Sequence, residues 1–438
     1  MLTTRGWALL GAAVGGLLLA VFTLNLLPMA IALFAVGFVG AEVLAFEVTA
    51  RRLAPGSFAA ERTDRTGRLH ADGLGATAVR IRRTGDRPFY LRIEDSTPTV
   101  FEVVEGSPRL ETWWSDQESL TLGYVFRART RGEFTIGPTE IVLQDPLGLA
   151  FRRIRLATQA SVLVSPAAPE VSLRRSAFRL TTQTMGFTPV ARRGYGTEFR
   201  SLRPYQLDDD YRTISWRRSQ GGSLFVREFE QESRQDFLVV ISLAPEMAAG
   251  DLGETALDRA CEAGILLATY APRGGDRVGL LLAGPQGPET YLPPDRGSFH
   301  ALKIAEALGR AMPKSAGPTL DSLIRVLPVR LRQPTHVFLF APLPAQITGP
   351  VAGLGTFLQG GHRLYYFPPD TARMHAPFAD PTAQAYLDRA VVEEGRRTRE
   401  RQRVLERLGI LVAPYDREGA GSRLLSLYQQ IHVWGVGR

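Results

Sequence analysis

Hydrophobic and polar positions follow three different rhythms along the chain. From Gly6 to Ala41 there is no charged residue, and these 36 positions are rich in Ala, Leu, Val, Gly and Phe. One straight helix of that length overshoots a hydrocarbon core of about 30 Å, which takes about 20 residues. The run carries its own break at Asn25-Leu26-Leu27-Pro28, because proline removes a backbone donor and disfavours helix in the residue before it. The pattern predicts two spans, about 7–25 and 28–46, joined by a tight turn, with every backbone group satisfied inside a helix. A cleaved signal peptide fits the first stretch, but a second uncharged stretch follows it directly.

The second rhythm has period two. Residues about 58–165 hold short alternating runs such as Ala78–Arg82, Phe89–Ile93, Thr121–Arg127 and Glu140–Leu143, each bounded by Gly, Pro, Asp or Ser. Repeated strands at this spacing predict an antiparallel β-sandwich. Of the pair Trp113-Trp114, one ring is expected in the core and the other partly covered.

The third rhythm begins at Phe237. Apolar runs at 237–241, 278–282, 337–340, 364–367 and 410–412 alternate with helical patterns at about 254–271, 298–311, 318–331, 349–360, 381–408 and 420–431. That alternation predicts an α/β domain with a mostly parallel sheet covered on both faces. Leu257, Cys261, Gly264 and Ala268 fall on one helical stripe, and the small residues suit close packing on the sheet. The fold class is therefore multidomain. It comprises an anchor at 1–50, a β-sandwich at 51–165, a connecting arm at 166–235 and an α/β domain at 236–438.

Composition sharpens this picture at a few points. The 438 residues have a mean hydropathy of -0.05, a blend of the uncharged run and a polar body. The single cysteine, Cys261, rules out an intrachain disulfide and a cysteine-based metal cluster. The formal net charge is +8, and all basic residues but Lys303 and Lys314 are arginine. Basic and acidic residues are interspersed, and no RNP, helix-turn-helix or zinc-finger pattern occurs, so no nucleic-acid partner is expected. The flanking arginines have a topological meaning instead. Arg5 precedes the first span and Arg51-Arg52 follow the second, which places both ends and the bulk of the chain in the cytoplasm. Glu42 and Glu47 fall at the expected interface. The helix at 381–408 mixes Arg396, Arg397, Arg399, Arg401 and Arg403 with Glu393, Glu394, Glu400 and Glu406, read as a solvated, ion-paired face.

No enzyme constellation is visible. There is no phosphate loop with Lys-Ser/Thr, no HExxH and no Gly-x-Ser-x-Gly elbow, and the six histidines are scattered. Catalytic residues and cofactors are expected to be none.

Two stretches carry more information than periodicity. Arg129-Thr-Arg131-Gly132-Glu-Phe-Thr-Ile-Gly137-Pro138 is followed by Asp145-Pro146-Leu147-Gly148-Leu149. Gly132 and Gly137 read as turn residues, Asp145-Pro146 as a turn start, and Gly148 as a candidate for positive φ. Later the chain carries Arg203, Tyr205, Asp209, Asp210, Arg212, Trp216, Ser219, Arg227 and Glu228 at fixed spacing. Three consecutive aspartates could bind a divalent cation, but the further ligands of a calcium loop do not follow. The preferred reading has Asp209 and Asp210 cap a helix start and pair with Arg203 or Arg212. Trp216 is read as a core anchor. Arg227 and Phe229 share one strand face, Glu228 and Glu230 the other.

These two stretches resemble the signatures "RRG.Y.LGP … DPLGL" and "LR.Y..GDD.R.I.W..SAR…L.VREFE" of the bacterial membrane-anchored "domain of unknown function 58" family. Leu207-Asp208 stand at its Pro-Gly positions, and Gln220-Gly221 at its Ala-Arg positions. Arg273-Gly-Gly-Asp276-Arg277-Val278-Gly279-Leu280 is similar to its "RRGDRVGL" turn. The resemblance implies a von Willebrand factor A-like α/β domain, whose metal site uses Asp-x-Ser-x-Ser, a threonine and a second aspartate. Here Ser242, Ala244 and Glu246 stand at the first three positions, Pro342 replaces the later aspartate and Thr319 is the candidate threonine. Serine brings no charge, and alanine and proline bring no ligand, so the site is read as degenerate, with no metal. The resemblance further implies a protein of the bacterial inner membrane without assigned catalysis. It would act as a protein-binding scaffold or assembly factor with a MoxR-type AAA+ ATPase and other membrane proteins of the same operon. The alternatives are a metal-dependent ligand-binding A-type domain and a regulator at the lipid surface or cell envelope.

Overall fold

The computed structural model describes residues 2–23, 26–52, 58–64, 69–83, 89–114, 118–145, 147–167, 193–194, 198–206, 209, 211, 214–219, 224–230, 235–344, 353–375 and 380–434. The chain divides into two compact units, Met1–Ser165 and Pro166–Arg438.

The N-terminal unit opens with helices α1 (Thr4–Thr23) and α2 (Leu26–Arg52). The break falls where the proline predicts it, and Pro28 sits in the first turn of α2, where its missing N–H is not needed. Within α2, Leu26–Val48 is long and apolar enough to cross a membrane, with a mean hydropathy of 2.2. α1 is apolar over the shorter stretch Thr4–Leu19. The two helices touch through small residues: a Cβ built on Gly16 would lie 3.4 Å from that of Ala32.

Among the described residues the strands that follow are β1 (Phe58–Asp64), β2 (Leu69–His70), β3 (Leu74–Arg83), β4 (Phe89–Asp95), β5 (Phe101–Gly106), β6 (Arg109–Trp114), β7 (Ser119–Ala128), β8 (Gly132–Ile136), β9 (Thr139–Gln144), β10 (Phe151–Leu156) and β11 (Ala160–Ser165). They form two four-stranded antiparallel sheets, β1-β3-β7-β5 and β10-β9-β4-β6, and a small third sheet, β2-β11-β8. Alternation decides what is inside. Val79, Ile81, Leu120 and Leu122 of one sheet and Leu91, Ile93, Ile141, Leu143 and Ile154 of the other share one buried cluster, and Phe101, Phe126, Ile136 and Val164 belong to a second. Trp114 is wholly buried in the first while Trp113 is 53% exposed, the division expected for the pair. Phe46 and Ala50 of α2 belong to the same core, so the helix is rooted in the β region.

A polar bolt crosses that core. Arg62 on β1 makes two hydrogen bonds to Asp95 on β4, at 2.5 and 3.0 Å, with side-chain exposures of 6% and 0%. Asp95 also accepts from Tyr124 on β7 and Thr139 on β9, both at 2.7 Å. Arg62 further donates to Thr77 at 2.9 Å and to the Thr158 carbonyl at 2.6 Å. Every strong donor and acceptor therefore has a partner, the condition under which a buried ion pair persists.

In the C-terminal unit, β12 (Arg193–Gly194), β13 (Glu198–Pro204) and β14 (Phe225–Glu230) form a three-stranded sheet in the order β12-β14-β13. The α/β sheet contains β15 (Asp236–Ser242), β16 (Arg277–Gly284), β17 (Gly287–Asp295), β18 (Thr335–Phe340), β19 (Arg363–Phe367) and β20 (Leu411–Val412) in the order β17-β16-β15-β18-β19-β20. All pairs are parallel except β16–β17. The helices are α3 (Ala256–Tyr270), α4 (Ser298–Arg310), α5 (Leu320–Arg330), α6 (Leu354–Gln359), α7 (Pro381–Arg407) and α8 (Ala420–Trp434). They cover both faces with separate hydrophobic clusters.

The α3 stripe behaves as its small residues require. Leu257, Cys261, Gly264 and Ala268 are all buried, and a Cβ on Gly264 would stand 3.6 Å from Val239 on the sheet. α3 starts at a capping box, with Thr255 and Asp258 bonded to each other's backbone. The expected helix at 349–360 is described only as Leu354–Gln359; 349–352 lie outside the described residues. β17 is an element that periodicity missed. Its sequence, GPETYLPPD, holds three prolines, which argue against a strand except at an edge, where β17 lies.

Candidate functional site

The arm is built around one buried pair. Ile214 bridges Val226 of β14, and both are 4% exposed. Ser215 N–H then donates to the Phe225 carbonyl at 2.8 Å, and the chain turns away from the sheet. Ser219 closes this turn. Its hydroxyl donates to the Ser215 carbonyl at 2.9 Å and accepts from the Phe225 N–H at 3.0 Å. Residues 216–218 are left at the tip. Trp216 is 67% exposed, Arg217 and Arg218 are exposed, and Tyr211 just upstream is 65% exposed.

This corrects the expectation that Trp216 anchors the core. Ile214 and Val226 occupy that place, and the turn held by Ser219 projects the indole outward. Tyr205 is half-buried, its N–H bonded to the Leu224 carbonyl at 2.8 Å. The Asp209 carboxylate accepts from Gln206 N–H at 2.8 Å, so it closes a local turn. Asp210 and Arg212 lie outside the described residues. Arg203, Arg227 and Glu228 are placed by their backbones alone. Arg203 pairs with Val226, Arg227 with Leu202 and Glu228 with Ser201.

At the C-terminal ends of the parallel strands, where ligands sit in open α/β sheets, lie the positions that the resemblance aligns with a metal site. Ser242 ends β15, and its hydroxyl accepts from Ala244 N–H at 3.2 Å. The 317–319 loop lies directly against it: a Cβ on Gly317 would collide with Ala244 and stand 3.5 Å from Ser242 Oγ. Thr319 caps α5, its hydroxyl accepting from Ser322 N–H at 3.2 Å. The carbonyl of Pro342, beyond β18, accepts from Tyr366 Oη at 2.7 Å. Glu246 is exposed on a short 3-10 turn, Pro245–Ala248. This donor set does not fit magnesium: it offers two neutral hydroxyls, each already accepting from a backbone amide, and one exposed carboxylate.

The opposite end of the sheet holds a polar cluster that the sequence did not announce. Asp276 has no exposed surface, and its carboxylate accepts from Tyr428 Oη at 2.7 Å, His432 Nε2 at 2.8 Å and Gln235 N–H at 3.0 Å. Burial and the bond to Asp276 push the Tyr428 hydroxyl well above its ordinary range. Nearby, His336 lies between the rings of Phe237 and Tyr365, with Nδ1 3.0 Å from the Tyr365 hydroxyl. Burial, then the neighbouring His432 and Arg363, push His336 down from 6.5 to about 4. A proton is therefore taken up by the unfolded chain first as pH falls. Stability contributed by neutral His336 is present above about 6.5 and is lost toward about 4. Thermal denaturation between pH 7 and pH 5 should show a falling midpoint, and His336→Gln should flatten it. Parallel slopes in both proteins would refute this assignment.

Comparison with known proteins bears on the arm and the first half of the sheet. The family model described as "Protein of unknown function DUF58" matches residues 201–343. No curated protein matches the chain. Among solved structures, an aerotolerance-related membrane protein from Bacteroides fragilis, with multiple mutations to serines, is 13% identical with a TM-score of 0.31, over 45% of this chain and 98% of that one. The SpRpn10 VWA domain is 12% identical with a TM-score of 0.27, over 44% of this chain and 94% of that one. A FixG-related protein from Vibrio parahaemolyticus is 8% identical with a TM-score of 0.18, over 25% of this chain and 96% of that one. Likenesses this distant carry no functional argument. The Arg203-to-Trp216 spacing that carries the resemblance falls inside the match to this family model, at residues 201–343.

Proposed function

We propose that the protein is a membrane-tethered, non-catalytic scaffold or assembly factor that recruits a partner protein through the arm. Two short spans, α1 and α2, form the tether. The β region is a sandwich, and the body with its A-type domain faces the cytoplasm, in keeping with Arg5 and Arg51-Arg52 beside the spans. The partner is a MoxR-type AAA+ ATPase. The observation that carries this reading is the exposed tip of the DUF58 segment, Tyr211 and Trp216 beside Arg217 and Arg218. Trp, Tyr and Arg are the residue types in which interface energy concentrates. A serine-locked turn presents Trp216, Arg217 and Arg218 already ordered, which lowers the entropic cost of binding.

Affinity capture from native membranes, with and without nucleotide, tests this. The wild-type chain should recover the ATPase. Trp216→Ala should lower recovery by tenfold or more, about the effect of removing a central aromatic anchor, with an unchanged thermal midpoint. Capture that survives Trp216→Ala, or recovers no ATPase in either condition, would defeat the reading. For the A-type domain, the proposal is a degenerate metal site. Magnesium titration by calorimetry is expected to show no tight, saturable binding.

A further inference from the structure

The family turn Asp145-to-Ala150 has a role that the arm does not touch. Its Asp145 carboxylate accepts from Leu147 N–H at 3.1 Å and Ala150 N–H at 2.6 Å, and Gly148 takes a positive φ of 70°. The carbonyls thus presented hold the start of the chain. Thr3 N–H donates to the Leu149 carbonyl at 2.8 Å, its hydroxyl donates to the Gly148 carbonyl at 2.6 Å, and Leu2 bridges Ala150. Thr3 then caps α1 by accepting from Gly6 N–H at 3.1 Å. The first helix is therefore bolted by its N-terminus to the β region in which α2 is rooted through Phe46 and Ala50.

This junction encloses an open groove of about 680 Å3 between the first turn of α1 and the outer face of the sheet β10-β9-β4-β6. Arg5, Arg92, Arg153 and Arg155 line it, against Glu94 and Glu140. Arg92 is engaged by Glu111 at 2.7 Å and Arg155 by Glu140 at 3.4 Å. Arg5 and Arg153 have no carboxylate partner among the described residues. Arg153 is steadied by the ring of Phe151, 5.6 Å below its guanidinium. The depth of the groove is set by α1. Its uncharged length from Gly6 to Thr23 spans about 27 Å at 1.5 Å per residue, close to a hydrocarbon core. With α1 as a span, Trp7, 65% exposed, would fall at the interface and Arg5 just outside it, at headgroup level.

We infer that this groove binds the phosphate of an anionic phospholipid headgroup, held by Arg5 and Arg153 beside the first turn of α1. The inference rests on the reading that α1 and α2 are membrane spans. Two guanidiniums without a carboxylate partner among the described residues meet a phosphate at the depth where the bilayer supplies one, and arginine matches phosphate oxygens in bidentate geometry. The positive end of the α1 dipole adds to the attraction.

The test uses the full chain reconstituted in nanodiscs of phosphatidylcholine, with and without phosphatidylglycerol. Lipid retained after transfer to detergent is read by native mass spectrometry. The wild type should retain phosphatidylglycerol in preference. Arg5→Gln with Arg153→Gln should lower that retention by about thirtyfold, the size expected for two basic residues at about 1 kcal/mol each at a charged surface. Arg80→Gln with Arg82→Gln, the same charge change on exposed positions of the other sheet, should leave it unchanged. Equal loss in both double variants, or no loss in the first, would overturn the inference. So would inorganic phosphate displacing the lipid at millimolar concentration, which would make this a soluble-anion site. Release of the wild type from membranes by alkaline carbonate would sink the spanning reading and the inference with it. An integral protein indifferent to headgroup charge would sink the inference alone.

Discussion

Replacing Asp95 with alanine is expected to cost the β region about 3–5 kcal/mol, the loss typical of breaking a buried pair from one side. Arg62, with 6% of its side chain exposed, would keep its charge and lose two hydrogen bonds. Tyr124 and Thr139 would lose their acceptor as well. Those four residues come from β1, β7, β4 and β9, so the damage falls on both four-stranded sheets at once. Removing both charges is a different matter. Arg62→Met combined with Asp95→Leu leaves no orphaned ion, and such swaps are often neutral or stabilising. The double variant should therefore recover most of the loss, although Tyr124 and Thr139 still lack their acceptor. Urea titration followed by tryptophan fluorescence reports on this core directly, because Trp114 is buried in it. A loss below about 1 kcal/mol in Asp95→Ala would mean that water reaches the pair, since exposed ion pairs are worth no more than that.

How far the chain could be read in advance depends on the range of the interactions. The apolar run and its proline break need no tertiary information, and both helices lie where the pattern puts them. The alternating strands and the buried runs at 237–241 and 337–340 are equally local signals. β17 escaped because its prolines oppose a strand everywhere except at a sheet edge, and edge position is a property of the whole sheet. Trp216 was misplaced for a related reason. Burial habits favour an inward indole, but a serine three residues later locks the turn that carries it outward. The contact between Thr3 and Gly148 spans 145 residues and the one between Asp276 and Tyr428 spans 152. No spacing rule reaches that far. In both cases the residue on the motif side had been read only as part of a turn, which is what its neighbours in sequence show. The positions around Ser242 were legible as chemistry, since alanine and proline offer no side-chain ligand. Their convergence at one end of the sheet needed the fold.

Asp276→Ala is expected to free the C-terminal helix before it disturbs the sheet. The carboxylate is the shared acceptor for Tyr428 and His432 on α8 and for the Gln235 amide at the start of β15. Without it, the buried Tyr428 hydroxyl loses its partner, at about 1–3 kcal/mol, and the part-buried Gln235 amide loses its own at a smaller cost. The remaining hold on α8 is apolar, through Leu424, Leu427 and Ile431 against the α3 side of the sheet. β15 is better secured, because it is paired on both sides, to β16 and β18. Hydrogen exchange should accordingly quicken across 420–434 by tenfold or more, while 236–242 stays protected, since local openings follow the weakest cooperative segment. Tyr428→Phe separates the contributions. It removes one donor and leaves Asp276 with His432 and Gln235, so its effect should be a modest fraction of the alanine variant's. Exchange that rises equally over the helix and the central strand would mean that Asp276 supports the whole domain. Exchange that does not rise at all would mean that the apolar face of α8 suffices without it.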